Sequence, residues 1–217
     1  MDILFNLVIV LCTLFSTIIC FRDKEGNWSF SEGCRRLRFF TLLSNLFCAF
    51  ASLSVLLSLR HSELPYGIWL FKYIGTASVT VTFLTVMVFL GPTLGYKSQL
   101  EGWAFYLHVV GPLLAIISFC FFERAYPLSF YSSLWGIAPV FLYGCLYLKK
   151  VVFSPGVSQW DDFYGFNRNG KWRISFSAML VGAFFVCILL WDIITGQVTA
   201  FPEKWIIPSI QPEHSEE

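Results

Sequence analysis

The chain has 217 residues, of which 56% are hydrophobic and only 13% charged, with a formal net charge of +1. A soluble domain carries about twice that charged share on its surface, and a nucleic-acid partner needs a basic face that this balance does not supply. Such a composition points to an all-α integral membrane protein.

The first apolar run, 3–21, follows Met1-Asp2 with no basic residue before Ile3, and Cys12 to Phe21 offers no small-residue cleavage site. It reads as a retained span and not as a signal peptide. Further runs long enough to cross the hydrocarbon layer, about 20 residues each, follow at 37–59, 66–92, 102–122, 129–148 and 174–195. Together they predict a polytopic six-transmembrane-helix bundle, a single integral membrane domain over 1–217. The third run carries Gly75 and a ladder of small hydroxyls (Thr76, Ser78, Thr80, Thr82, Thr85) before Gly91-Pro92, a pattern that predicts close helix packing in lipid. Trp160, Tyr164 and Trp172 in the last loop suit an aromatic belt at the membrane surface. The tail from Gln197 contains three prolines and reads as an interfacial segment with a loose end. The seven cysteines are scattered, six in apolar runs and none in a C-x-x-C pair. They predict neither a disulfide framework nor a metal site, and no cofactor is expected.

Where loops are short, basic residues set orientation. Arg22, Lys24, Arg35, Arg36 and Arg38 surround the first loop, Lys97 lies in the third, and Lys149, Lys150, Arg168, Lys171 and Arg173 surround the fifth. The opposite side has Arg60, Arg124 and Lys204. The odd loops are therefore expected in the cytoplasm and both termini on the other side.

Ionisable residues at membrane depth are expensive, and each is a candidate for function. They are Lys72, His108, Glu123 and Asp192. Lys72 and Asp192 approach the same face and are expected to pair there or to snorkel, with Glu123 solvated at the end of span four. His108 lies about 9 Å into span four and Thr41 about 6 Å into span two at helical rise, on helices running the same way. Ser44 and Asn45 share the helical face of Thr41, and Thr85 returns to a nearby level. A membrane threonine ordinarily back-bonds to the preceding turn. Beside a neutral imidazole, however, its hydroxyl can become a nucleophile. Ser44, Asn45 or Thr85 would then bind substrate or donate to a developing oxyanion.

The segment Arg38-Phe39-Phe40-Thr41-Leu42-Leu43-Ser44-Asn45-Leu46 resembles the R-[YF]-F-T-x-x-S-N-L stretch of bacterial six-span relatives of the androgen-induced gene family. Leu107-His108-Val109-Val110-Gly111-Pro112 resembles their L-H-x-x-x-P element, and Trp160-Asp161-Asp162-Phe163-Tyr164-Gly165-Phe166 with Asn169-Gly170-Lys171-Trp172 resembles their D-F-Y-G-F…G-K-W loop. The resemblance covers most of the chain in span order. Animal members are intramembrane threonine hydrolases that cleave fatty acid esters of hydroxy fatty acids. The resemblance thus implies Thr41 as nucleophile, His108 as base, a membrane lipid ester as substrate and a bacterial plasma membrane as location. This chain departs from the animal pattern at Ala104, where a second His stands near the catalytic one, and in the shorter spacing from His108 to Pro112. No carboxylate within a span lies at the depth of His108, so the candidate orienting groups are Asp161 and Asp162 of the adjacent loop, against the alternative of a plain solvated turn.

Two other readings stand beside this one. A small-molecule or lipid transporter would use Gly75, Gly111-Pro112, Gly136 and Pro139 to break helices around a midplane site bounded by Lys72 and Asp192. A non-enzymatic membrane scaffold would have the same composition. Oligomeric state is open in all three.

Overall fold

The computed structural model describes residues 2–23, 25–60, 63–154, 156 and 159–198. The expectation for the tail therefore falls largely outside the described residues. Six helices are long and apolar enough to cross a membrane: span one at Ile3–Cys20, span two at Phe40–Leu57, span three at Tyr66–Leu94, span four at Trp103–Phe122, span five at Phe130–Val151 and span six at Trp172–Gly196. No strand occurs among the described residues, only one isolated bridge between Arg22 and Trp28. The protein is an all-α polytopic bundle. Short helices at Phe30–Arg36 and Tyr96–Leu100 lie in the first and third loops, and Ser29 caps the former by accepting the Glu32 N–H.

Span three is the hub, 61% buried where span six is 22% buried. Its small residues make this possible. A Cβ built on Gly75 would stand 3.1 Å from the Cys48 backbone of span two. On span five, a Cβ at Gly136 would stand 2.8 Å from Cys187 Sγ and 2.9 Å from Ala77 Cβ. Three spans meet there at a distance only glycine allows. The hydroxyl ladder completes the hub by self-satisfaction: Thr76, Ser78, Thr80 and Thr82 each donate to the carbonyl four residues back. The helix so presents an apolar exterior despite its polar sequence. Around it, Trp69, Tyr73, Phe119, Val140 and Val186 form the main core.

Two spans change winding beside a Gly-Pro step. Thr85–Leu90 precedes Gly91-Pro92, and Tyr106–Val110 precedes Gly111-Pro112; both are π-helical turns. Proline lacks the N–H its helix requires and collides with the carbonyl of the preceding turn, and the backbone accommodates it by widening. Thr85 and His108 both lie in widened turns, which are frequent at functional sites.

At the end away from the basic loops, the charges pair differently from the sequence expectation. Lys72 is fully buried and donates to Ser52 Oγ at 2.6 Å, with its Nζ 3.9 Å from Glu123 Oε1. Glu123, only 5% exposed, accepts from Asn6 Nδ2 at 2.8 Å and from the Ser118 hydroxyl. Its carbonyl accepts the Trp69 indole N–H at 2.7 Å. Glu123 is therefore not solvated. Asp192 is exposed and does not pair with Lys72. The turn after span four (φ −108°, ψ 53° at Glu123) tucks the carboxylate back into the bundle.

Candidate functional site

Thr41 is the second residue of span two. That position decides the behaviour of its hydroxyl, because no helical carbonyl lies one turn behind it. Thr17, Thr76, Thr80, Thr82, Thr93 and Thr195 all back-bond to the carbonyl four residues earlier. Among the described residues, Thr13, Thr41 and Thr85 make no such bond; Thr13 meets the Tyr106 hydroxyl instead, and Thr41 and Thr85 line one cavity.

The innermost part of this cavity, about 50 Å³, is lined by Phe40, Thr41, Thr82, Thr85, Tyr143 and Tyr164 among others. It shares Val81, Thr85, Phe89, Phe166 and Met179 with a larger cavity of about 740 Å³ between spans three and six. The outer walls of the larger cavity include Val88, Phe89, Ile174, Phe185 and Leu189, all exposed on the bundle's side. An apolar groove thus runs from the lipid-facing flank of the helices to the Thr41 hydroxyl. Gly182 adds to its width, since a Cβ there would meet nothing within 4 Å.

Asn45 and Ser44 bind the backbone. Asn45 Nδ2 donates to the Thr41 carbonyl at 2.8 Å and to the Leu107 carbonyl of span four at 2.9 Å. Both amide hydrogens are used, so Asn45 is not the oxyanion donor expected of it. Ser44 Oγ donates to the Thr41 carbonyl at 3.1 Å and pairs with Thr82 Oγ1 at 2.8 Å. Its proton is spent as well. Both residues serve to lock span two against spans three and four.

His108 is buried, 9% exposed, and its Nδ1 lies 2.5 Å from the Gln99 carbonyl. A carbonyl can only accept, so the Nδ1 carries the proton, and in the neutral ring the lone pair is on Nε2. The orienting group is therefore a backbone carbonyl from the Tyr96–Leu100 helix. His108 does not border the Thr41 cavity, and no hydrogen bond joins the two side chains among the described residues.

Asp162 stands elsewhere. Its Oδ1 accepts the Tyr147 hydroxyl at 2.8 Å and its Oδ2 accepts the Asn167 N–H at 2.9 Å, while Asp161 is exposed. Tyr147 in turn accepts the Tyr164 N–H at 3.1 Å. The carboxylate thus staples the last loop onto span five, which corrects its expected role at His108. Tyr164 has a role that its place in a loop does not announce: its phenol oxygen accepts the Phe40 N–H at 3.0 Å at the start of span two and meets the hydroxyls of Tyr143 and Thr41. Burial pushes this phenol up to about 12, with the Phe40 N–H opposing the rise. The D-F-Y-G-F motif was the available signal.

Among the described residues, no group of three or more His, Cys, Asp or Glu side chains could hold a metal ion. The fold and cavity define a class: a six-span helical membrane bundle with a lateral apolar groove ending on hydroxyls. Comparison with protein-family models, curated proteins and solved structures returned no match.

Proposed function

We propose that this protein is an intramembrane hydrolase of lipid esters, of the fatty acid ester of hydroxy fatty acid type, acting in a bacterial plasma membrane. One observation carries the reading: the Thr41 hydroxyl, without a back-bond, lines the inner end of an apolar groove of ligand size. A lipid enters sideways from the cytoplasmic leaflet, the side assigned to the basic loops, with both termini on the opposite side. Its acyl chain lies between spans three and six, and its ester reaches Thr41. Thr41 Oγ attacks the carbonyl carbon and His108 Nε2 takes the proton through a bridging water, a reach general-base catalysis tolerates. The acyl-threonine is then hydrolysed.

A second reading is favoured by the position of His108 away from the cavity: a protein that binds an acyl lipid in the same groove without cleaving it. The transporter reading loses its anchor, because Lys72 pairs with Glu123 and not with Asp192. Fluorophosphonate labelling of the purified protein in detergent separates the first two. Wild type should label, and Thr41→Ala and His108→Ala should not. A well-folded wild type that takes no label while retaining a fluorescent fatty acid would establish the binding reading instead.

A further inference from the structure

Of the donors expected to meet a reacting carbonyl beside Thr41, Asn45 and Ser44 are consumed; Thr85 lines the cavity from span three, whereas Tyr164 contacts the Thr41 hydroxyl itself. Asn45 spends both amide hydrogens on the Thr41 and Leu107 carbonyls, and the two hydroxyl protons of Ser44 and Thr82 are shared among the Thr41 carbonyl, the Ser78 carbonyl and the contact between the two hydroxyls. Tyr143 borders the cavity too, but its hydroxyl donates to the Arg38 carbonyl at 2.6 Å. Tyr164 is different. Its oxygen accepts the Phe40 N–H, one of the unsatisfied donors at the start of span two, and its own proton faces the hydroxyls of Tyr143 and Thr41 and not a backbone carbonyl, so an ester carbonyl arriving at Thr41 competes for it only with hydroxyl oxygens. An oxygen that accepts a hydrogen bond becomes a stronger donor through its own O–H. The ring lines the same cavity as Thr41, and the Asp162–Tyr147 staple fixes the loop that carries it.

We propose that Tyr164 is a catalytic residue, the hydrogen-bond donor that holds the carbonyl oxygen of an ester positioned against Thr41. The assignment rests on the hydrolase reading. Thr41 Oγ bonds to the acyl carbon, its proton goes to His108, and the carbonyl π pair moves onto the oxygen. Tyr164 O–H donates to that oxygen without transferring its proton. Collapse restores the C=O bond and expels the alkoxide, which takes the proton from His108. Water then repeats the sequence on the acyl-threonine, giving its proton to His108 and returning it to the departing Thr41 oxygen. The raised phenol, at about 12, keeps Tyr164 a donor throughout the physiological range.

The test uses the full chain in detergent with a long-chain fatty-acyl ester of 4-methylumbelliferone as substrate and the corresponding ether, which has no carbonyl, as a binding probe. Tyr164→Phe should lower kcat by about 10²–10³ with KM changed little, as for loss of an oxyanion donor, while affinity for the ether stays at the wild-type value. An undiminished kcat overturns the assignment. So does a loss of ether binding that matches the loss of kcat, since that marks a merely structural tyrosine. Should Tyr164→Phe not fold, 3-fluorotyrosine at position 164 keeps the shape and alters donor strength; an unchanged kcat there overturns it too. Wild type that binds the ether but cleaves no ester refutes the hydrolase reading itself, and the donor role falls with it.

Discussion

Asn45 of span two and Leu107 of span four are joined by an amide-to-carbonyl hydrogen bond of 2.9 Å, and the same nitrogen holds the Thr41 carbonyl at 2.8 Å. One buried side chain thus couples the backbone of the candidate nucleophile to the backbone beside the candidate base. Gly111, one turn beyond Leu107, makes room for it: a Cβ there would stand 3.0 Å from Asn45 Oδ1.

Asn45→Leu should therefore destabilise the bundle by about 1–3 kcal/mol, chiefly the cost of the buried Leu107 carbonyl deprived of its side-chain donor, since the Thr41 carbonyl keeps the Ser44 hydroxyl. Thermal unfolding in detergent reads the loss. A melting temperature equal to wild type would mean that the spans are aligned by packing alone.

Lys72 and Glu123 form a buried pair, and breaking such a pair costs more than removing it. Lys72→Met leaves an uncompensated carboxylate and should cost about 3–5 kcal/mol. Lys72→Met combined with Glu123→Gln, which retains hydrogen-bonding capacity toward Asn6 and Ser118, should recover most of it. Equal destabilisation by the single and double variants would refute the coupling.

Gly182 faces the wide part of the groove, where a side chain meets open space. Gly182→Phe should depress turnover or binding of long-chain lipids more than of short-chain ones. The comparison of a long and a short fatty-acyl ester on the same preparation decides it, and equal effects on both would remove the acyl chain from this groove.

The Tyr164 phenol is raised from 10.0 to about 12 in the folded protein. Between those values the unfolded chain has lost a proton that the folded chain retains, so stability falls as pH rises across the window and is fully present below pH 10. The fall in melting temperature between pH 10 and 12 should be steeper in wild type than in Tyr164→Phe. Parallel slopes would place the phenol in water.

The six spans were legible because a hydrocarbon layer sets a length and a composition at once; predicted and observed ends differ by a few residues. Partner choice was not legible. Whether Lys72 meets Asp192 or Glu123 depends on which helices neighbour span three, and apolar runs carry no such information. Glu123 looked solvated because it ends a span, yet one non-helical turn sends it inward beneath Trp69. Tyr164 lies in a loop that carries no sign of its partner, and the staple through Asp162 draws it to the start of span two. The distinctive behaviour of Thr41 follows from a helix starting at Phe40, three residues later than the sequence suggested.

The buried knot of Asn6, Lys72 and Glu123 also constrains the order in which the molecule is made. These groups belong to span one, span three and the turn after span four, and a chain threads into the bilayer in that order. Lysine at the centre of a membrane helix costs about 2.5–3.5 kcal/mol to insert, and Lys72 receives its countercharge only once the fourth helix has arrived. The polar knot that ties spans one, three and four therefore closes only when the turn after the fourth is in place, although span one already packs Ile9 against Cys48 and Ala49 of span two. A chain halted after its third helix would carry an unpaired cation within its membrane segment, a mark by which membrane quality control can tell the unfinished protein from the finished one.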